Sequence, residues 1–179
     1  MDGPWISTML DTPINSVAET QVNLTTTLQA MVSTARLPNL GNNYFNYVGK
    51  RLHMKATGWT TSGGTPGNMT LAILAGNNAN NTGTNVAGVT TTWTASQTNY
   101  TFNMDMWVQC RALGVSGSLL CEGIVHYQSS GIYPFNFTAP GITTVDLTQN
   151  PLYLSPQFSR SGSTAEVIRV LDIWFEALN

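Results

Sequence analysis

The sequence predicts an all-β protein: an antiparallel β-sandwich, best fitted by a jelly roll of about eight strands in two packed sheets. Three observations lead there. Thr and other strand formers are abundant, and clusters of Gly, Asn and Pro fall at strand-like intervals. Several segments alternate apolar and polar residues with period two. Only the C-terminal segment has any claim to helical spacing. The 179 residues suit one domain able to bury about 70% of its unfolded surface.

Residues 1–43 read as an extended N-terminal arm carrying a first strand at Glu19–Thr27, punctuated by Pro4, Pro13 and Pro38, with Ser33–Asn43 a loop. Residues 44–179 read as the jelly-roll domain. In Val48–Gly58, Val48, Leu52, Met54 and Ala56 share one face while Arg51, His53, Lys55 and Thr57 share the other. Thr60–Gly67 is a turn by composition, with Gly63-Gly64 and Pro66-Gly67. Asn68–Gly76 follows as a strand with Met69, Leu71 and Ile73 inward. Asn77–Thr84 is a polar loop, and Asn85–Trp93 a short strand. A long hairpin comes next: Phe102 to Ala112, a turn at Gly114-Val115-Ser116-Gly117, then Leu119 to Tyr127. Short strands are expected at Pro134–Thr138, Ile142–Leu147 and Leu152–Ser155. In the last segment, Val167–Leu178, Ile168, Leu171 and Phe175 keep near-helical spacing. The crowding of Val, Ile, Trp and Phe favours a strand.

Charge narrows the function. Asp, Glu, Lys and Arg make up 9% of the chain, with net charge −2, against roughly 25% charged residues in an ordinary soluble domain. Such a polar, uncharged surface generates no field to steer a polyanion, which argues against direct nucleic-acid binding. The N-terminus shows no signal-peptide pattern, and no apolar run reaches membrane-spanning length; a cytoplasmic start and no membrane partner are expected. Five Asn-x-Thr triplets, at Asn23, Asn68, Asn80, Asn99 and Asn136, carry no meaning without secretion.

Catalytic and metal motifs are absent from the sequence. His53 and His126 are the two histidines, and neither stands in a nucleophile–base spacing. G-x-S-x-G and phosphate-binding loop patterns do not occur. Asp105, Glu122, Asp146 and Asp172 fall on separate predicted strands. No catalytic residue, metal or cofactor is therefore assigned. Cys110 and Cys121 lie equidistant from the hairpin turn; in that register they oppose each other on the core side and are expected to remain free thiols.

Apolar side chains on both faces of one strand carry most information. Trp107 falls opposite Met106 and Val108, Trp174 opposite Ile173 and Phe175, and Leu74 opposite Ile73. A sandwich has one interior, so the second face must meet something else. Leu74, Trp107 and Trp174 are thus candidate interface residues, joined by Arg51, His53 and Lys55 of the basic stripe Lys50, Arg51, His53 and Lys55, which reads as a solvated strand face or as a row of contacts to an acidic partner surface.

The run Gly49-Lys50-Arg51-Leu52-His53-Met54-Lys55-Ala56-Thr57-Gly58, the turn Thr60 to Pro66 and the strand Met69 to Ile73 together resemble jelly-roll virion proteins of tailed bacteriophages. Asn103–Leu113, Ser118–His126 and Val167–Leu178 match their later strands, so the resemblance covers Tyr44 to the end. It implies a non-enzymatic structural protein of the virion, assembled in the host cytoplasm: a capsid decoration or minor capsid protein. Its partners would be its own copies in a trimer and the major capsid protein. The alternative within the same resemblance is a receptor- or carbohydrate-binding head of a tail or fibre, using the loops Thr60–Gly67, Asn77–Thr84 and Ser129–Pro134.

Overall fold

The computed structural model describes residues 21–32, 37–41, 44–78, 83–128, 131–134, 143–162 and 166–178, and among these described residues eleven strands build two antiparallel sheets. No helix occurs among the described residues. The strands are β1 (Gln21–Asn23), β2 (Gln29–Ala30), β3 (Arg51–Thr61), β4 (Asn68–Gly76), β5 (Thr84–Thr92) and β6 (Tyr100–Ala112). They continue with β7 (Gly117–Tyr127), β8 (Gly131–Pro134), β9 (Thr143–Val145), β10 (Tyr153–Arg160) and β11 (Val167–Leu178).

The pairing is nested in the manner of a rolled-up hairpin. β1 pairs β11, β2 pairs β10, β3 pairs β6 and β4 pairs β5. One sheet runs β1-β11-β3-β6 and the other β2-β10-β4-β5, the strand order of an eight-stranded jelly roll. β7 and β8 widen the first sheet beyond β6, and β9 also pairs with β7. The expected all-β sandwich is present.

Alternation decides which side chains the sandwich encloses. On β3, Leu52, Met54 and Ala56 point inward; on β6, Phe102, Met104, Met106, Val108 and Cys110 do so. They meet Met69, Leu71 and Ile73 of β4 and Leu154 and Phe158 of β10 in one continuous core. Truncating one such leucine to alanine costs about 2–5 kcal/mol.

β11 is a strand, and a bulge between Val170 and Asp172 explains its helix-like spacing. The inserted residue moves the inward set from Ile168 and Val170 to Ile173 and Phe175.

Several expectations need correcting. The arm is not separate from the domain at its described end: Leu24, Met31, Val32, Leu37 and Leu40 are all buried in the core. Two short pairings, β1 on β11 and β2 on β10, explain why this segment is integral. β3 begins at Arg51, because Gly49 adopts a positive φ of 97° and turns the chain. Val48 therefore lies exposed instead of inward. Cys110 and Cys121 do not oppose each other: Cys110 faces Leu119 and Cys121 faces Val108, since a register shift next to Cys110 displaces the pairing. Both thiols are free and buried. β8 runs Gly131–Pro134, where a loop was expected; the strand expected at Pro134–Thr138 lies, apart from Pro134, outside the described residues, as do residues 1–20.

Candidate functional site

The outer face of the larger sheet collects the side chains that alternation turns away from the core. Register places Arg51 beside Gln109, His53 beside Trp107, and Lys55 beside Asp105 on the β3–β6 pair. On the other side of β3, His53 meets Glu176 and Lys55 meets Trp174. Across β6–β7, Trp107 faces Glu122 and Gln109 faces Leu120. Four strands thus bring residues more than 120 positions apart in sequence, His53 and Glu176, into one patch.

His53 is the centre of this patch. Its ring stacks on the Trp107 indole at 3.8 Å between centroids and 3° between planes, and the edge of Trp174 closes in at 5.1 Å. Nε2 lies 2.7 Å from Asp105 Oδ1, and Nδ1 lies 3.5 Å from Glu176 Oε2. A neutral imidazole donates to one of these carboxylates and an imidazolium to both. Lys55 Nζ reaches Asp105 Oδ2 at 3.3 Å and sits 5.0 Å from the Trp174 ring centre. Partial burial works against ionisation of Asp105, but hydrogen bonds and charge from His53 and Lys55 outweigh it, holding its carboxyl below the usual carboxylate value.

Beside the stacked pair lies a shallow depression of about 240 Å³, lined by Arg51, Trp107, Gln109, Leu120 and Glu122. Arg111 Nη1 donates to Gln109 Oε1 at 3.4 Å, steadying the amide. Toward the sheet edge the same face exposes Ile124 and Ile132, at 44% and 64% of their surface, while Trp107 keeps 39%.

The predicted interface residues therefore divide. Arg51 and Trp107 are exposed, Lys55 and Trp174 are half-buried, and all four share the patch. His53 was expected on an open basic stripe; it is only 6% exposed, because two tryptophans cover it. Lys50 is buried as well, lying over the rings of Tyr44 and Tyr47. Leu74 is also only 6% exposed, although it keeps the outward parity expected of it: β4 runs without interruption against β10, the core takes Met69, Leu71, Ile73 and Ala75, and the register shift beside Leu74 falls on β5, where Val86 is the extra residue. Sequence reading missed the Asp105 and Glu176 partners of His53 and the Gln109–Leu120–Glu122 wall. It also missed Ile124, although an isoleucine at an outward position between Glu122 and His126 was a legible signal.

The carboxylates flank His53 on opposite ring nitrogens, so they orient the ring and do not converge on one point. Among the described residues no group of three His, Cys, Asp or Glu side chains could hold a metal ion.

No protein-family model and no curated protein matches the chain. Among solved structures, it is similar to a legume lectin-like domain from Entamoeba histolytica at 8% identity and a TM-score of 0.31, covering 72% of this chain and 73% of that one. So faint a likeness adds nothing to the reading of the site.

Proposed function

We propose that this chain is a non-enzymatic structural protein of a bacteriophage particle, a capsid decoration or minor capsid protein. It works as a homotrimer whose copies meet through the outer face of the larger sheet and dock on the major capsid protein. The observation that carries this reading is the exposure of Trp107, Ile124 and Ile132 on one sheet face. Large apolar side chains grouped on one face mark association surfaces, and depletion of charge is the composition expected of an interface core. The virion assignment draws on the resemblance of the Gly49–Gly58 run and the β6–β7 hairpin to phage jelly-roll proteins.

Analytical ultracentrifugation at micromolar concentration is the test. The expected species has three times the 19.4 kDa chain mass, and Ile132→Lys, which places a charge at the sheet edge, shifts it toward monomer. A wild-type chain that stays monomeric and does not bind purified phage shells would overturn the proposal. A second reading, a receptor- or carbohydrate-binding head, is favoured by one observation: the depression beside the partly open Trp107 indole.

A further inference from the structure

We infer that the depression framed by Arg51, Trp107, Gln109, Leu120 and Glu122 is a subsite for a single neutral pyranose ring. This rests on the carbohydrate-binding reading, and it commits that reading to a ligand class and to the sheet face instead of the loops.

The lining defines the ligand by its chemistry. Arg51 on β3 and Glu122 on β7 stand on opposite sides of β6, and among the described residues neither makes an ion pair. A cation entering the depression meets Arg51, and an anion meets Glu122. A neutral polyol suits both, because a sugar hydroxyl accepts from the guanidinium and donates to the carboxylate. Between them Gln109 offers an amide with both donor and acceptor character.

Trp107 supplies the apolar contact. Parallel stacking on His53 occupies one face of the indole, so its remaining exposure lies on the other face and the edges. His53 is itself held by Asp105 and Glu176, which fixes the indole before any ligand arrives. A platform ordered in advance loses little entropy on binding. Leu120 adds a second apolar contact on the β7 side. The volume, about 240 Å³, falls below the roughly 300–1,000 Å³ of drug-sized pockets, which limits the occupant to one ring.

The depression shares Trp107 with the proposed trimer face but lies apart from its Ile124 and Ile132 end. Leu120 and Glu122 precede Ile124 along β7, toward the β6–β7 turn and away from the Ile132 end of β8.

The experiment is a proton–nitrogen NMR titration of the full chain with methyl glycosides of glucose, galactose, mannose, fucose and N-acetylglucosamine. Glucuronate and glucosamine serve as the charged comparisons. The reporter is the Trp107 indole Nε1–H, assigned by its loss in Trp107→Phe. At ordinary ligand efficiency a monosaccharide binds with Kd of about 1–10 mM. At least one neutral glycoside should shift the Trp107 indole signal saturably in that range. Trp107→Ala and Glu122→Ala should each weaken binding about tenfold or more, whereas Ile132→Lys should leave it unchanged. If Trp107→Ala loses its dispersed spectrum, Gln109→Leu and Glu122→Gln at the rim carry the same test. Saturable binding that leaves the Trp107 indole unmoved overturns this site while sparing the carbohydrate reading. Tighter binding of glucuronate or glucosamine overturns the neutral ligand. No binding by any sugar overturns both.

Discussion

Replacing Arg160 by methionine should destabilise the chain by about 3–5 kcal/mol, the cost of breaking a buried ion pair by removing one member. Glu166 is fully buried, and Arg160 Nη1 approaches its Oε2 at 3.1 Å. The same guanidinium donates from Nε to the Leu24 carbonyl and from Nη1 to the Gly162 carbonyl at 2.5 Å. Backbone bonds run alongside: the Leu24 amide donates to the Glu166 carbonyl, and the Arg160 amide donates to the Thr25 carbonyl. One side chain therefore ties the segment after β1 to the connection between β10 and β11. Methionine keeps the apolar stem but removes every one of its donors. For a chain of this size each kcal/mol moves Tm by about 2–4 °C, so calorimetry should show a fall of about 6–20 °C. The double change Arg160→Met with Glu166→Leu should recover most of that loss, since an apolar pair leaves no charge unpaired. Arg160→Lys should fall between, keeping the charge without the planar fork. A drop under about 3 °C for Arg160→Met would refute the argument, because it would mean that water reaches Glu166 once the arginine is gone.

Three further outcomes follow from the structure. Burial pushes the Cys121 thiol up to about 12 and raises that of Cys110 too; iodoacetamide at pH 8 should label neither in the native protein and both after denaturation, as intact mass will show. Asp105 has a lowered pKa in the folded state, so its stabilising effect is present above the unfolded value of about 3.9 and fades as pH falls through the folded one. Urea midpoints at pH 6 and pH 3 should therefore differ less in Asp105→Asn than in the wild type. At Gly58 a Cβ would collide with the Arg169 carbonyl oxygen and the Phe102 ring, whereas at Gly64 it would meet nothing within 4 Å. Gly58→Ala should cost about 1–3 kcal/mol by urea titration and Gly64→Ala less than about 0.5.

The sandwich was legible because its evidence is local. Period-two alternation in Leu52–Ala56, in Met69–Ile73 and through the β6–β7 hairpin depends only on each strand having one wet and one dry side. Bulges were not legible. They insert one residue without a compositional mark: the shift beside Cys110 moves the cysteine register and the one at Val170–Asp172 gives β11 its false helical period, whereas Val48 changes face because the chain turns at Gly49. β1 falls within the strand expected at Glu19–Thr27, but its extent, and β2 altogether, were obscured for another reason. Two or three residues cannot show a period, and their place is set by the partners β11 and β10.

The site shows where such reasoning stops. Parity put Arg51, His53 and Lys55 on the outer face of β3 and Trp107 on the outer face of β6, and the structure has them there. It could not say which strand lies beside which, and burial depends on that neighbour. His53 reads as a solvated cation until β6 delivers Trp107 above it and β11 delivers Trp174 and Glu176. Asp105 likewise becomes its hydrogen-bond partner only through the β3–β6 register. A histidine in a strand is thus ambiguous until the strand order is known. The nested pairing of the jelly roll supplies that order, placing β3 between β6 and β11 and converting a charged stripe into an aromatic platform.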